Sequence, residues 1–146
     1  MTQEEKELLL EDLCGRLPYE VKVTTTNTAV EFGIISGISI ENKISVRTKH
    51  ADIVFDCTEI KPYLRQMSSM TTDEEYEYYQ IKKRNSDKLL SIMDCSDHLR
   101  QLLFPIIVGT ESIGWLNAHH FDYRGLIPKG LALKAPEGMY KQEKQQ

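Results

Sequence analysis

The chain has 146 residues, the size of one folding domain, and a chain of this length can bury a core without disulfides or metal. It carries 22 acidic and 18 basic residues, and the resulting formal charge of -4 argues against broad binding of duplex DNA. The three cysteines, Cys14, Cys57 and Cys95, are far apart and form no Cys-x-x-Cys motif. They therefore encode neither a zinc cluster nor a disulfide framework, and a reducing cytoplasm is the expected compartment.

No segment has the pattern of a membrane span or a signal peptide. The longest apolar run, residues 102–108, contains Pro105 and is much shorter than a bilayer-spanning helix. Acidic residues interrupt every apolar stretch near the N-terminus, unlike the apolar centre of a signal peptide. We therefore expect a cytoplasmic protein that does not bind membranes.

The first predicted element is an amphipathic helix over residues 3–17. Thr2 and Glu5 have the spacing of a capping box, in which the two side chains bond free backbone N–H groups at a helix start. Leucines recur along one face at positions 9, 13 and 17. Gly15 and Pro18 predict where the helix ends.

Between residues 19 and 55 the apolar residues alternate with polar ones, which predicts four or five short antiparallel strands. Breaks at 26–28, 41–43 and 49–51 are short enough for hairpins. Gly33 and Gly37 lie within the longest strand pattern and predict a bulge or sharp bend. The apolar residues of this pattern are Val21, Val23, Val30, Phe32, Ile34, Ile38, Ile40, Ile44, Val46, Ile53 and Phe55.

The rest of the chain reads as helices and loops. Residues 59–71 contain Pro62 and predict a helical turn followed by a loop. A second helix is predicted over 73–84, starting at Thr71 or Thr72, since both have a glutamate three residues later. For 85–110 two interpretations stay open: helical turns that begin at Ser86 and Ser96, or a strand near Leu89.

A third helix is predicted to start at Thr110 and to end near His119 or His120, with Ile113, Trp115 and Leu116 facing inward. Glycines and prolines follow too closely after it for another long element. The predicted fold is therefore one α+β domain over 1–140 with a flexible tail at 141–146. Its centre is a small curled antiparallel sheet or SH3-like partial barrel, flanked by an N-terminal helix and several C-terminal helices.

Two His-x-Asp pairs are candidate metal ligands. His50 and Asp52 have the same spacing as His120 and Asp122, and imidazole and carboxylate ligands together suit zinc. Such dipeptides are common, and His50 lies in a predicted hairpin loop. The simpler interpretation is that these residues are solvated or bonded to backbone carbonyls, and no cofactor is predicted.

Residues 115–136 hold the densest set of polar side chains, and His119, His120, Asp122 and Arg124 could form an acid/base cluster. No Gly-x-Ser-x-Gly turn or recognisable cysteine-enzyme context supplies a nucleophile. The favoured alternative is structural: Asp122 caps a turn, Arg124 pairs with a helix carboxylate, and the apolar residues fasten this segment to the core. Those residues are Trp115, Phe121, Leu126, Ile127, Leu131 and Leu133.

Three tyrosines of the second helix, Tyr76, Tyr78 and Tyr79, point around more than half its circumference. One hypothesis is an interaction surface, since tyrosine is enriched in binding interfaces. The favoured alternative is that two of them pack internally and the third is exposed.

Three segments carry a resemblance: LLLEDLCGRLPYEVKV, EIKPYLRQMSSMTTDEE and WLNAHHFDYRGLIPKGLALKAPEGMY. They resemble short uncharacterised proteins of gut anaerobic bacteria, often encoded near prophage or conjugative elements. The resemblance implies a small accessory protein of a mobile element and no catalytic residue. The favoured function is a non-enzymatic module that binds a protein partner. The alternatives are a small hydrolase that uses His119, His120, Asp122 and Arg124, and a weak single-stranded nucleic-acid binder; the oligomeric state stays open.

Overall fold

The structure is a computed structural model that describes residues 1–26, 33–91 and 109–140, and within them all side chains except those of 88–91. The helices are α1 (Gln3–Arg16), α2 (Thr72–Ser91) and α3, which covers 109–118. The strands are β1 (Lys22–Thr25), β2 (Gly33–Ile38), β3 (Lys43–Arg47), β4 (Asp52–Asp56), β5 (Ile60–Leu64) and β6 (Leu133–Lys134). Single 3₁₀ turns lie at Leu17–Tyr19, Cys57–Glu59 and Met67–Ser69.

The six strands form one mixed sheet in the order β4-β3-β2-β1-β5-β6. All neighbours are antiparallel except β5 and β6, which are parallel. The α+β class is thus confirmed, but the sheet does not close into a barrel. It stays open because β4 and the two-residue β6 lie at opposite edges.

The bulge predicted from the glycines of β2 is present. The register against β3 shifts between Ile35 and Gly37. Gly33 is required for a different reason, because a Cβ atom there would lie 2.1 Å from the Cγ1 atom of Val46. A bulge of this kind bends the strand that carries it.

The prediction for residues 59–71 was wrong, because Ile60–Leu64 is the strand β5 between β1 and β6. Pro62 is compatible with this position for a geometric reason. The carbonyl of Leu64 points toward β6, where it accepts a hydrogen bond from the N–H of Ala135. Backbone groups two residues apart in a strand point to the same side, so the backbone nitrogen of Pro62 also points toward β6. Pairing with β6 begins only at Tyr63, and the missing N–H of Pro62 therefore costs no ladder hydrogen bond.

The N-terminal helix closes the core against one face of the sheet. Both bonds of the Thr2–Glu5 capping box form, and α1 ends at Arg16, just before the 3₁₀ turn that contains Pro18. Leu9 and Leu13 are fully buried against strand residues. The core residues from the strands are Val21, Val23, Ile35, Ile44, Val46, Phe55, Ile60 and Leu64.

The second helix is longer than predicted. Thr71 and Glu74 form its capping box, and the helix runs through Ser86, whose hydroxyl donates to the carbonyl of Lys82 instead of starting a new turn. In α3, Leu116 is buried as predicted, whereas Ile113 is 40% exposed. Within the described residues no helix is long and apolar enough to cross a membrane.

Some predictions fall on residues outside those described. These are the strand positions Val30 and Phe32, the helical turn proposed to begin at Ser96, and the tail at 141–146. The alternative of a strand near Leu89 is wrong for the residues up to Ser91, because they belong to α2.

Candidate functional site

An open cleft of about 900 Å³ lies between the start of α2, the end of α3 and the chain that follows β6. Its lining includes His119 and His120 from the predicted acid/base cluster, but not Asp122 or Arg124. Arg65, Glu74, Lys134 and Tyr140 are among the other polar residues of its wall. The structure therefore divides the predicted cluster into two parts.

His120 ends α3 in a conformation that usually belongs to glycine. Its N–H donates to the carbonyl of Asn117, and the next N–H, of Phe121, donates to that of Leu116, at 3.1 and 3.0 Å. These two bonds make a Schellman motif, with His120 at the left-handed position, φ 62°. Gly130 has φ 73° in the same pattern, between bonds from Gly130 to Ile127 and from Leu131 to Leu126. A side chain at such a position costs about 1 kcal/mol, so its own contacts must hold His120 there.

Those contacts are with Tyr140. The two rings stack with their centroids 3.7 Å apart, His120 is buried, and its Nδ1 has no hydrogen-bond partner among the described residues. Burial, and then the positive charge of Arg16, lowers the pKa of His120 to about 4. The imidazole is thus neutral at pH 7, and it is poorly suited to donate a proton near neutrality.

His119 is held by the tryptophan one turn earlier on α3. Its Nδ1 lies 2.8 Å from the carbonyl of Trp115, and the two rings stack at 3.9 Å. A carbonyl only accepts, so Nδ1 carries the hydrogen and Nε2 of the neutral ring is an acceptor. His119 is the side chain of the predicted cluster that best keeps a reactive atom near the cleft.

Arg65 and Glu74 neutralise one another at the cleft wall. The guanidinium donates two bonds of 2.8 Å to the carboxylate and lies over the ring of Phe121, 4.2 Å from its centroid. The bonds from Arg65, together with the Thr71 backbone N–H, lower the pKa of the Glu74 carboxyl. Because both groups are occupied by each other, this pair fixes the start of α2 more than it offers a charge to a ligand.

Asp122 and Arg124 have structural partners instead of catalytic ones. The carboxylate of Asp122 accepts from the backbone N–H groups of Leu126 and Ile127 at 2.8 and 2.9 Å, which caps the turn that follows. Arg124 forms an ion pair of 3.0 Å with Glu11 on α1. Both contacts match the structural interpretation of this segment.

The sequence interpretation missed a buried ion pair between Asp12 and Arg16. Arg16 also donates a bond of 2.7 Å to the carbonyl of Phe121, which ties α1 to the end of α3. A signal was available, because the two residues are spaced i,i+4 beside the Leu9 and Leu13 stripe. Their burial depends on the distant segment that covers them.

His50 and Asp52 lie at the other end of the sheet. His50 is exposed in the turn between β3 and β4, and Asp52 opens the edge strand β4, whereas His120 follows α3 beside β5. In the described part of the chain, no group of three or more His, Cys, Asp or Glu residues could hold a metal ion.

The outward surface of α2 is the second candidate site. Tyr78 stacks on Trp115 at 5.4 Å, and the Trp115 indole N–H donates to Glu77, so that α2 is fixed against α3. Tyr76 and Tyr79 are 65% and 60% exposed. The favoured prediction of two packed tyrosines and one exposed one was therefore wrong, because only Tyr78 faces Trp115.

Charge is segregated along the same helix. Its first part carries the four acidic residues Asp73, Glu74, Glu75 and Glu77, and the basic residues Lys82, Lys83 and Arg84 follow. No acid and base in these two groups are three or four residues apart; Asp87, four residues after Lys83, is the acid nearest to the basic group along the helix. Among the described residues, Glu75 and Lys83 are exposed and have no ion-pair partner.

Comparisons with protein-family models, with curated proteins and with solved structures find no match to this chain.

Proposed function

We propose that the protein is a non-enzymatic interaction module that binds a protein partner through the outward surface of α2. The observation that carries the proposal is the exposure of Tyr76 and Tyr79 on a helix whose orientation the Tyr78–Trp115 stack fixes. Exposed tyrosines on a rigid element provide a large contact area at low entropic cost.

The charges around the tyrosines define the chemistry of the partner. The first part of α2 is acidic and the later part is basic. The complementary partner is a helical segment whose basic residues lie beside the acidic part of α2 and whose acidic residues lie beside the basic part. The same acidic residues repel a phosphate backbone, which disfavours single-stranded nucleic acid as the ligand of these aromatic rings. A cytoplasmic location and an accessory role in a mobile element belong to this proposal, supported by composition and by the resemblance of three sequence segments.

Affinity capture with a double variant tests this function. The variant Tyr76→Ser/Tyr79→Ser should lose a stoichiometric partner that the wild-type chain captures from a lysate of its host. The matched control Tyr19→Ser changes an exposed tyrosine outside α2 and should keep the partner, as should His120→Ala. Equal capture by the wild type and the double variant would remove α2 as the binding surface.

A second candidate function rests on His119, whose Nε2 is left as an acceptor in a ring that lines the cleft. A base in such a cleft could support a small metal-dependent or acid/base hydrolase. Elemental analysis of the purified protein, with and without His119→Gln, tests it. A bound divalent metal that the variant loses would support this candidate, and a metal content equal in both proteins would remove the metal-dependent form.

A further inference from the structure

We propose that α2 pairs with α2 of a second copy of this chain, antiparallel and about a two-fold axis at Tyr79. The inference rests on the proposed function, because it names the partner of the same surface. It follows from the order of three exposed residues along the helix.

Glu75, Tyr79 and Lys83 are spaced i,i+4,i+8 and form one exposed stripe. A tyrosine stands at its centre, with a negative charge one turn before and a positive charge one turn after. An antiparallel copy of the stripe centred on Tyr79 places Glu75 opposite Lys83 of the partner subunit. Two-fold symmetry repeats that pair, so one stripe provides two complementary ion pairs around a central tyrosine contact.

The charge order of α2 fixes the direction of the pair. A parallel pair would instead bring the two acidic parts together and the two basic parts together.

A second exposed apolar surface, on β4, is less suited to self-association. The open edge strand β4 carries the exposed residues Ile53 and Val54 between Asp52 and Asp56. Antiparallel pairing of two β4 strands about Val54 would place Asp52 opposite Asp56 of the partner subunit, and opposed like charges disfavour such pairing. Charge complementarity therefore favours α2 over β4 as the surface of self-association.

The pair is expected to be weak. One pair of helices buries less than the roughly 1,600 Å² of a standard stable complex. We therefore expect a reversible dimer over the range of about 10 to 500 µM, and one that dissociates further as salt screens its exposed ion pairs.

Sedimentation equilibrium of charge-reversal variants at low salt tests the pair. Glu75→Lys and Lys83→Glu should each raise the dimer dissociation constant by about tenfold or more, since each turns two attractions into repulsions. An equimolar mixture of the two variants should restore wild-type dimerisation, because both ion pairs then re-form with their charges matched. The double variant E75K/K83E should restore it as well.

The exposed residues Lys49 and Glu41 provide the controls. Lys49→Glu and Glu41→Lys change the net charge equally and should leave the dissociation constant unchanged. A wild-type chain that stays monomeric up to about 500 µM, or a mixture that does not regain the dimer, overturns the inference. If capture of another protein still depends on Tyr76 and Tyr79, the proposed function survives that result; if no binding depends on them, both fail.

Discussion

The carboxylate of Asp12 and the guanidinium of Arg16 form an ion pair in which both side chains are fully buried. Two bonds join them, from Nε to Oδ2 at 2.7 Å and from Nη2 to Oδ1 at 3.0 Å. Nη2 also donates to the carbonyl of Phe121, so the pair links α1 to the chain just after α3. A buried charge costs much free energy without its partner, so stability here depends on keeping both.

Removing only the arginine should therefore be severe. Arg16→Met leaves the buried Asp12 carboxylate with only the longer contact to Arg124, whose Nε lies 3.5 Å from Oδ1, and we expect the free energy of unfolding to fall by about 3 to 5 kcal/mol. Denaturant titration followed by circular dichroism measures it. The double variant Asp12→Leu/Arg16→Met should lose less than the single one, and Arg47→Met, at an exposed position, should lose little. A double variant less stable than Arg16→Met would contradict this account.

Stability should depend on the protonation of His120. Burial lowers its pKa from 6.5 to about 4 in the native state, so below pH 6.5 the unfolded chain binds a proton that the native chain does not. Above pH 6.5 this pKa difference stabilises the native state by about 3 kcal/mol, and this stabilisation is lost as the pH falls to about 4.

Unfolding free energies at pH 7 and at about pH 4 measure this dependence. The variant His120→Asn tolerates the left-handed backbone and should show a smaller loss on acidification than the wild type. His50→Asn, at an exposed histidine, should behave as the wild type does. An unchanged pH dependence in His120→Asn would show that His120 is not the group responsible.

The hydroxyl of Tyr140 should contribute to stability separately from its ring. It accepts from the N–H of Lys22 and donates to the carbonyl of Tyr63, at 2.9 and 2.8 Å, which fastens the chain after β6 to β1 and β5. Tyr140→Phe keeps the stack with His120 and removes both bonds, so we expect a loss of about 1 to 3 kcal/mol by denaturant titration. Tyr19→Phe, at an exposed tyrosine, serves as the control and should cost much less.

Two glycines of β2 give a matched pair for a steric prediction. Gly33→Ala forces a methyl group into the side chain of the buried Val46, whereas a Cβ atom at Gly37 meets nothing within 4 Å. We expect Gly33→Ala to lower the thermal unfolding midpoint, with a cost of about 1 to 3 kcal/mol, and Gly37→Ala to be nearly neutral. If both variants lowered the unfolding midpoint equally, the close approach of β2 to β3 at Gly33 would not be the cause of the loss.

Local patterns predicted the parts of the fold that local chemistry determines. The Thr2 capping box and the alternation around Ile44 and Val46 depend on residues a few positions apart, and both α1 and β3 are where they were expected. β5 was missed because Pro62 argues against a strand unless the missing N–H faces an unpaired position. β6 was missed because two residues carry no periodicity, and their pairing depends on Tyr63, far earlier in the chain.

The candidate site was predictable only in part for a similar reason. Sequence proximity placed His119, His120, Asp122 and Arg124 in one cluster, but the left-handed residue His120 ends α3 between them. His119 and His120 then line the cleft, while Asp122 caps the next turn and Arg124 reaches α1. The exposed stripe on α2 is visible in sequence spacing, but its exposure depends on the packing of Tyr78 against Trp115.

Disulfide cross-linking at chosen positions of α2 tests the central claim most directly, in a background in which Cys14, Cys57 and Cys95 are replaced by serine. In an antiparallel pair centred on Tyr79, the variant Tyr79→Cys should cross-link to itself, and Glu75→Cys should cross-link to Lys83→Cys when the two are mixed. Glu75→Cys alone and Lys83→Cys alone should not cross-link, because identical positions are then about 12 Å apart along the helix axis, too far for a disulfide. Efficient cross-linking of Glu75→Cys to itself, or none at Tyr79→Cys, would contradict the account.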